Sequence, residues 1–388
     1  MQRELVKIRR WLHQNAETGF GLPKTLSFVQ EKLCEMGYTP QRCGKAGLVA
    51  TLGKPSEEGT TLLRADMDAL PIKEKTGAAY ACKTGNMHAC GHDLHTAMLL
   101  GAARLLKMRE GELSHEVKLL FQPAEELLEG AKDVIKGGVL TTPNVTSAAM
   151  IHVLTDIPLP TGTLIVAGTG VSAPAADYFT ITVRGKGCHG SAPQNGVDAL
   201  VIASQILLAL QTIHARELAP QQTAVLTVGS METGTASNVL SEEVRLLGTL
   251  RAFDEDTREY VKKRMTQMAN GIARAFRGRA SVSYQGGCPT LVNDGGMSAL
   301  SFQTLQNLFG KEQVLLSTDL VGKSREKNGG SEDFAYVSQK VPSVMIALAA
   351  GNPEEGYRFP LHHAKVDFDE RALWVGSATY AAIGLQKK

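Results

Sequence analysis

This chain lacks the features that would point to a nucleic acid, a membrane or an oxidising compartment. Its 41 Lys+Arg against 39 Asp+Glu leave a formal net charge of +2. That is no electrostatic footprint for a polyanion or an anionic membrane surface. No apolar run follows Arg3, Lys7, Arg9 and Arg10, so a secretory leader is not expected. The most apolar later stretch, Ala199 to Leu210, is too short to span a bilayer and reads as a core helix. The six cysteines (Cys34, Cys43, Cys82, Cys90, Cys188, Cys288) follow no disulfide-like spacing, as expected of a reduced, cytoplasmic protein. No Gly-x-Gly-x-x-Gly follows an early strand, which sets a dinucleotide cofactor low. Internal repeats and low-complexity tracts are absent as well.

What is present is length and alternation. At 388 residues the chain exceeds the size at which one core keeps growing, so two domains are expected. Helical patterns at Leu5 to Leu12, Thr25 to Met36, Thr96 to Met108 and Glu125 to Lys136 alternate with strand patterns at Gly47 to Leu52, Thr61 to Ala65, Glu116 to Phe121 and Ser147 to Val153. Such alternation predicts a mainly parallel sheet flanked by helices. From about residue 176 the pattern becomes β-α-β-β-α-β: Asp177 to Arg184, Val197 to His214, Thr223 to Ser230, Glu243 to Phe253, Glu255 to Arg274 and Ala280 to Tyr284. That order predicts an α+β, ferredoxin-like domain at 176–290 inserted into an α/β domain made of 1–175 and 291–388. Alternation then resumes, with a strand at Ser343 to Ala350 and a helix from Asp369 to Leu385.

Residues 86–95, Asn-Met-His-Ala-Cys-Gly-His-Asp-Leu-His, concentrate more chemistry than any other segment. Soft and borderline ligands beside hard carboxylates suit a divalent ion such as zinc, or manganese where oxygen dominates. Cys90 and His92 are separated by one residue, and on extended backbone they point to one face. Asp66-Met-Asp68, Glu125-Glu126 and His152 each follow a predicted strand, where α/β folds place ligands. Two glutamates in the first turn of a helix would equally suit its macrodipole, and a histidine at a strand end would equally suit a core.

Taken together, the motifs Arg9-Arg-Trp-Leu-His13, Leu63-Arg-Ala-Asp66-Met-Asp68-Ala-Leu-Pro71, Met87-His-Ala-Cys90-Gly-His92-Asp93 and Gln122-Pro-Ala-Glu125-Glu126 resemble the M20 metallopeptidases. The match is to the N-acyl-amino-acid amidohydrolases among them. It continues through Gly187-Cys-His189-Gly-Ser-Ala-Pro193, Ala236-Ser-Asn238-Val239, Gly248-Thr-Leu-Arg251, Ser331-Glu332-Asp333-Phe334 and Leu361-His362. The resemblance implies a zinc-peptidase-like catalytic domain with an inserted lid and dimerisation domain. It also implies two divalent metal ions, zinc or manganese, held by Cys90, His92, Glu126, His152 and His362.

By the same resemblance Glu125 is the general base and His189 the hydrogen-bond donor to a tetrahedral oxyanion, while Asn238, Arg251 and Ser331 hold the substrate. Asp68 is expected to fix a ligand imidazole. Asp66 stands where many relatives carry a histidine ligand; for His88, Asp93 and His95 solvated and supporting roles stay open. The implied activity is hydrolysis of an N-acyl amino acid, with a dipeptidase or carboxypeptidase as the alternative. The expected partners are small N-acyl amino acids or short peptides and a second copy of the chain in a homodimer or homotetramer, with neither nucleic acid nor membrane. Three departures from the family pattern fall away from the implied metal ligands: Ala16 in place of proline, Leu240-Ser241 after Asn-Val, and Cys188 before His189.

Overall fold

Apolar residues in the computed structural model bury themselves in the two periodicities that the sequence sets out. Residues 1–234, 236–320 and 330–386 are described. The longer strands are β1 (Gly47–Leu52), β2 (Thr60–Asp66), β3 (Glu116–Gln122), β4 (Val145–Leu154), β5 (Ala175–Arg184), β6 (Ala224–Glu232), β7 (Glu243–Ala252), β8 (Arg279–Cys288) and β9 (Ser343–Ala349). The longer helices are α1 (Gln2–Gln14), α2 (Pro23–Glu35), α3 (His92–Met108), α4 (Gly130–Lys136), α5 (Ala199–Thr212), α6 (Glu255–Ala275), α7 (Gly295–Phe309) and α8 (Ala372–Gly384). They form two units: Met1–Ser172 with 292–320 and 332–386, and Ala173–Leu291 with 330–331.

The first unit is built on an eight-stranded sheet. Its order is Gln41–Cys43, β1, β3, β2, β4, β9, Leu164–Val166, Val314–Leu316. The four central strands β3, β2, β4 and β9 run parallel, and antiparallel neighbours flank them. Every residue of β2 is buried, as in a strand covered on both faces. Helix α3 is buried on almost all sides and packs against α1, α8 and β2. It starts at His92, four residues before the predicted Thr96, because Gly91 adopts φ +83 and turns the chain into the helix. A Cβ there would also strike Val153 and the Phe368 ring, so glycine is required twice over.

The second unit carries the order β6-β7-β5-β8, all antiparallel. With α5 and α6 as the crossovers this is the ferredoxin-like arrangement. Asp198 caps α5 and Asp254 caps α6, each accepting backbone N–H bonds in the first turn. The α5 helix continues through a π turn to Glu217, beyond the predicted end at His214, and its 19 residues are by length and composition long and apolar enough to cross a bilayer, unlike the stretch Ala199 to Leu210 alone. Its Ile202, Ala203, Ile206, Leu210 and Ile213 nevertheless pack into the core of this unit, as the sequence reading has it.

One expected helix is wrong in its first half. Residues 125–129 form a turn, and α4 begins only at Gly130. Ala124 and Leu128 both sit at φ 55, which no continuous helix permits. Glu125 and Glu126 are therefore not first-turn residues, and the macrodipole does not explain them.

Two glycines let α3 and α8 approach closely. A Cβ on Gly376 would collide with Met98, and one on Gly101 with Ser377 and Leu5. Gly376→Ala is expected to destabilise the protein by about 1–3 kcal/mol through overpacking. Denaturant unfolding measures this, and Met98→Ala in the same chain should recover part of the loss.

Candidate metal centre and active site

The C-terminal ends of the central strands deliver the polar residues. The chain beyond β2 brings Asp68, the turn after β3 brings Glu125 and Glu126, and β4 itself carries His152 near its end, inside the strand rather than after it. Cys90 and His92 flank the left-handed Gly91, so they reach one point from a bend and not from the extended backbone that the sequence suggests. His362, at φ 66, is fixed by its own N–H to Ala89 O at 2.9 Å.

These side chains converge. Cys90 Sγ lies 3.5 Å from His152 Nε2 and 3.3 Å from His362 Nε2. Glu126 Oε1 is 3.5 Å from His362 Nε2 and 3.9 Å from His92 Nε2. The donor atoms of Cys90, His92 and His152, of Cys90, Glu126 and His362, and of His92, Glu125 and Glu126 form three overlapping groups, each spanning no more than 4.8 Å. Two imidazoles have their rotation set from behind. His92 Nδ1 donates to Asp68 O at 2.9 Å and His152 Nδ1 to Val153 O at 2.8 Å, so each Nε2 presents a lone pair to the cluster. His92 Nε2 and Glu126 Oε1 are buried with no hydrogen-bond partner among the described residues. Buried polar atoms left this way cost free energy unless something fills the gap between them, and a thiol, imidazoles and a carboxylate are the donor set of a divalent transition ion. The residues fit a metal.

Protonation tells the same story from the other side. Burial raises the Cys90 thiol and takes Glu126 up to about 7. Burial, then the Glu332 and Asp333 carboxylates, raises Glu125 well above the usual range. Burial lowers His152 to about 3 and also lowers His362. Burial would lower His92 too, but the Asp66 carboxylate prevails and raises it. Cys90, Glu126 and His92 thus hold protons that a bound cation would displace, while His152 and His362 are already neutral ligands.

Asp68 serves the site differently from the expectation. Its backbone oxygen, not its carboxylate, takes the His92 proton. The carboxylate clamps the turn after β3, with Oδ1 accepting Glu125 N–H at 2.9 Å and Oδ2 accepting Glu126 N–H at 3.2 Å. One carboxylate thus holds both peptides of the adjacent glutamates, whose side chains are free to serve separate tasks.

The sequence reading gave no role to Arg64. It is fully buried, bonding Gln122 Oε1 at 3.0 Å, Asp66 Oδ2 at 2.7 Å and Asp333 Oδ1 at 2.8 Å, with Glu332 at 3.0 Å. Asp333 also accepts Ala131 N–H at 2.8 Å, tying the start of α4 to the same group. Arg64 and Glu332-Asp333 stand inside the quoted motifs, but their pairing joins residues far apart in sequence. Asp93 also proves structural: it accepts Arg9 Nε and His13 Nδ1, both at 2.8 Å, and fastens α1 to the start of α3. His95 donates to Asp66, and His88 is buried with neither ring nitrogen hydrogen-bonded among the described residues.

The remaining candidates lie in the second unit in two groups. His189 and Cys188 pair antiparallel with Val239 and Leu240, beside Asn238, whose oxygen accepts Gly190 N–H at 2.7 Å. The Ser191 hydroxyl, 2.8 Å from His189 Nδ1, and the Ser191 N–H, at 3.1 Å, set that ring. Arg251 donates to Ser331 Oγ at 2.5 Å, and Ser331 in turn to Pro174 O at 2.8 Å.

An α/β unit with clustered transition-metal donors at its strand ends, carrying a ferredoxin-like insert, defines a class of two-domain metallohydrolases. A profile of the Peptidase family M20/M25/M40 matches residues 62–386. Curated relatives include an N-acetyl-L-cysteine deacetylase of Bacillus subtilis, 37% identical over 96% of this chain and 85% of that one. A thermostable carboxypeptidase of Saccharolobus solfataricus is 33% identical over 98% of this chain and 95% of its own. Among solved structures, a dinuclear metal binding peptidase of the M20 family from Bacillus subtilis superposes with a TM-score of 0.81 at 30% identity, covering 99% of this chain and 97% of that one. The chain belongs to the M20/M25/M40 peptidase family, and it is an enzyme of the family's metal-dependent amidohydrolase kind.

The Asp93 fastening has a pH signature. Burial works against a charged His13, but hydrogen bonds to Asp93 and Glu74 prevail and raise it to about 9. A histidine raised in the fold adds stability that is full below its unfolded value near 6.5 and is lost as pH rises through about 9. Unfolding of the metal-free chain is expected to become easier across that window, and His13→Gln should flatten the trend.

Proposed function

We propose that this chain hydrolyses the amide bond of N-acyl amino acids, releasing a carboxylic acid and a free amino acid. Convergence of the Cys90, His92, Glu126, His152 and His362 donor atoms beside the carboxylate of Glu125 carries the reading. These five residues would hold two divalent ions, zinc or manganese, and Cys90, within reach of both His152 and His362, would be the ligand they share. Ions bound there supply Lewis acidity toward the scissile carbonyl and lower the pKa of water.

Glu125 moves the proton. Its Oε2 is 3.9 Å from His92 Nε2, so it borders the ligand cluster, while its backbone is held by Asp68. Burial favours its acid form, which gives it the basicity to take a proton from the attacking water and deliver it to the departing amine nitrogen. His189 donates to the developing oxyanion: Ser191 N–H occupies Nδ1, which leaves the proton on Nε2. Arg251, bonded to Ser331, takes the substrate carboxylate, and Asn238 contributes from beside His189. Among the described residues no carboxylate pairs with Arg251, and a guanidinium without a counter-ion forks readily onto one. The second unit serves as lid and dimerisation element in a homodimer or homotetramer, in the cytoplasm. A carboxypeptidase activity at the same centre is the second reading, favoured by the likeness to the Saccharolobus enzyme.

Turnover of acetyl- and benzoyl-amino acids against dipeptides, with metal-loaded enzyme, separates the two activities; hydrolysis of dipeptides alone would overturn the first. Glu125→Gln should keep its metal and lose on the order of 100-fold or more in rate, whereas Glu126→Gln should lose metal. Near wild-type turnover in Glu125→Gln would remove Glu125 from the mechanism. Because Glu126 must give up a proton to bind, metal content should fall as pH drops through about 7.

A further inference from the structure

Strands β2 and β4 pair in parallel only as far as Arg64 and Met150. Beyond that point each stays paired on its outer side, β2 with β3 up to Asp66–Gln122 and β4 with β9 up to Leu154–Ala349. On the inner side the sheet splits, and the split lies between the strand that leads to Asp68 and the strand that carries His152. Backbone groups lining such a split are buried and must find other partners.

Three side chains supply them. Tyr380, on α8 and fully buried, donates to Arg64 O at 2.6 Å and accepts Ile151 N–H at 3.0 Å, bridging the gap with one hydroxyl. Thr96 donates to Asp66 O at 2.8 Å. His95 donates from Nδ1 to Asp66 Oδ1 at 2.6 Å and accepts Val153 N–H on Nε2 at 2.9 Å, bridging the gap a second time. Arg64 and Asp66 on one lip, and Ile151 and Val153 on the other, are two residues apart, so these are the groups that a continued ladder would have used. The side chains replace the missing ladder, one or two per rung, and hold the strands at a spacing that direct pairing would close.

We infer that Tyr380, His95 and Thr96 are positioning residues: their bridge across the β2–β4 gap sets how far His152 stands from the Asp68-held ligands, and through that spacing the affinity of the centre for its ions. The inference rests on the metal-centre reading. The Tyr380 hydroxyl bonds Arg64 O and Ile151 N–H, groups of none of the proposed ligands, which separates it from the groups that merely orient a ligand ring.

The test is affinity of the metal-free chain for Zn²⁺, measured by competition with a chromogenic chelator, together with thermal unfolding of the metal-free form. Tyr380→Phe removes the hydroxyl and keeps the ring; Zn²⁺ affinity is expected to fall on the order of 10-fold. Thr96→Val addresses the same gap from the β2 lip and should weaken binding in the same direction, also where Tyr380→Phe does not fold. Leu33→Ala, a cavity on α2 remote from the gap, should lower the unfolding temperature with Zn²⁺ affinity unchanged. Wild-type affinity in both gap variants would overturn the inference while leaving the centre intact, and so would an equal loss in Leu33→Ala. A wild-type chain that takes up no Zn²⁺ would instead remove the metal-centre reading, and the inference with it.

Discussion

Lone pairs of a thiol, three imidazoles and a carboxylate crowd into one largely buried space, and the rest of the first unit is arranged to tolerate that crowding. Each donor alone would relieve its desolvation by turning toward water or keeping a proton. Here His92 and His152 cannot turn, because Asp68 O and Val153 O pin their rings, and Asp68's carboxylate holds the peptides of both glutamates. The protons remain instead, as the raised thiol and glutamates record. Such a pocket is poised for cations, because they remove the protons and the repulsion together.

The cost is met by a layer of fixed charge behind the donors. Arg64 is surrounded by Asp66, Glu332 and Asp333, and Arg9 with His13 grips Asp93. Breaking either group from one side would leave a buried charge alone, which is far more damaging than never having built it. Both groups join distant parts of the chain, Arg9 to Asp93 and Arg64 to Asp333, so the folded topology and the site's electrostatics are one construction.

Much of this was legible in the residues. The central sheet follows from the alternation of strand and helix patterns along the chain, and the insert from its change to the β-α-β-β-α-β order. The metal-type donors announced themselves by clustering in residues 88–95, whereas His152 and His362 were reachable only through the family resemblance, since a lone histidine at a strand end or loop carries no local signal. What stayed hidden has physical reasons. The turn at 125–129 reads as helix in composition, while its conformation is imposed by Asp68 from the chain beyond another strand. Gly91 reads as an ordinary glycine until Val153 and Phe368 are seen against it. The roles of Arg64, Tyr380 and His95 arise from contacts across the sheet and α8 that periodicity does not encode.

The proposed centre depends on Cys90 as the ligand common to two ions. Elemental analysis of the purified chain after loading with Zn²⁺ or Mn²⁺ and removal of excess metal tests it most directly. Two equivalents per chain are expected in the wild type, with a loss of at least one in Cys90→Ala while the fold persists. A wild type that holds a single ion, or a Cys90→Ala chain that still holds two, would contradict it.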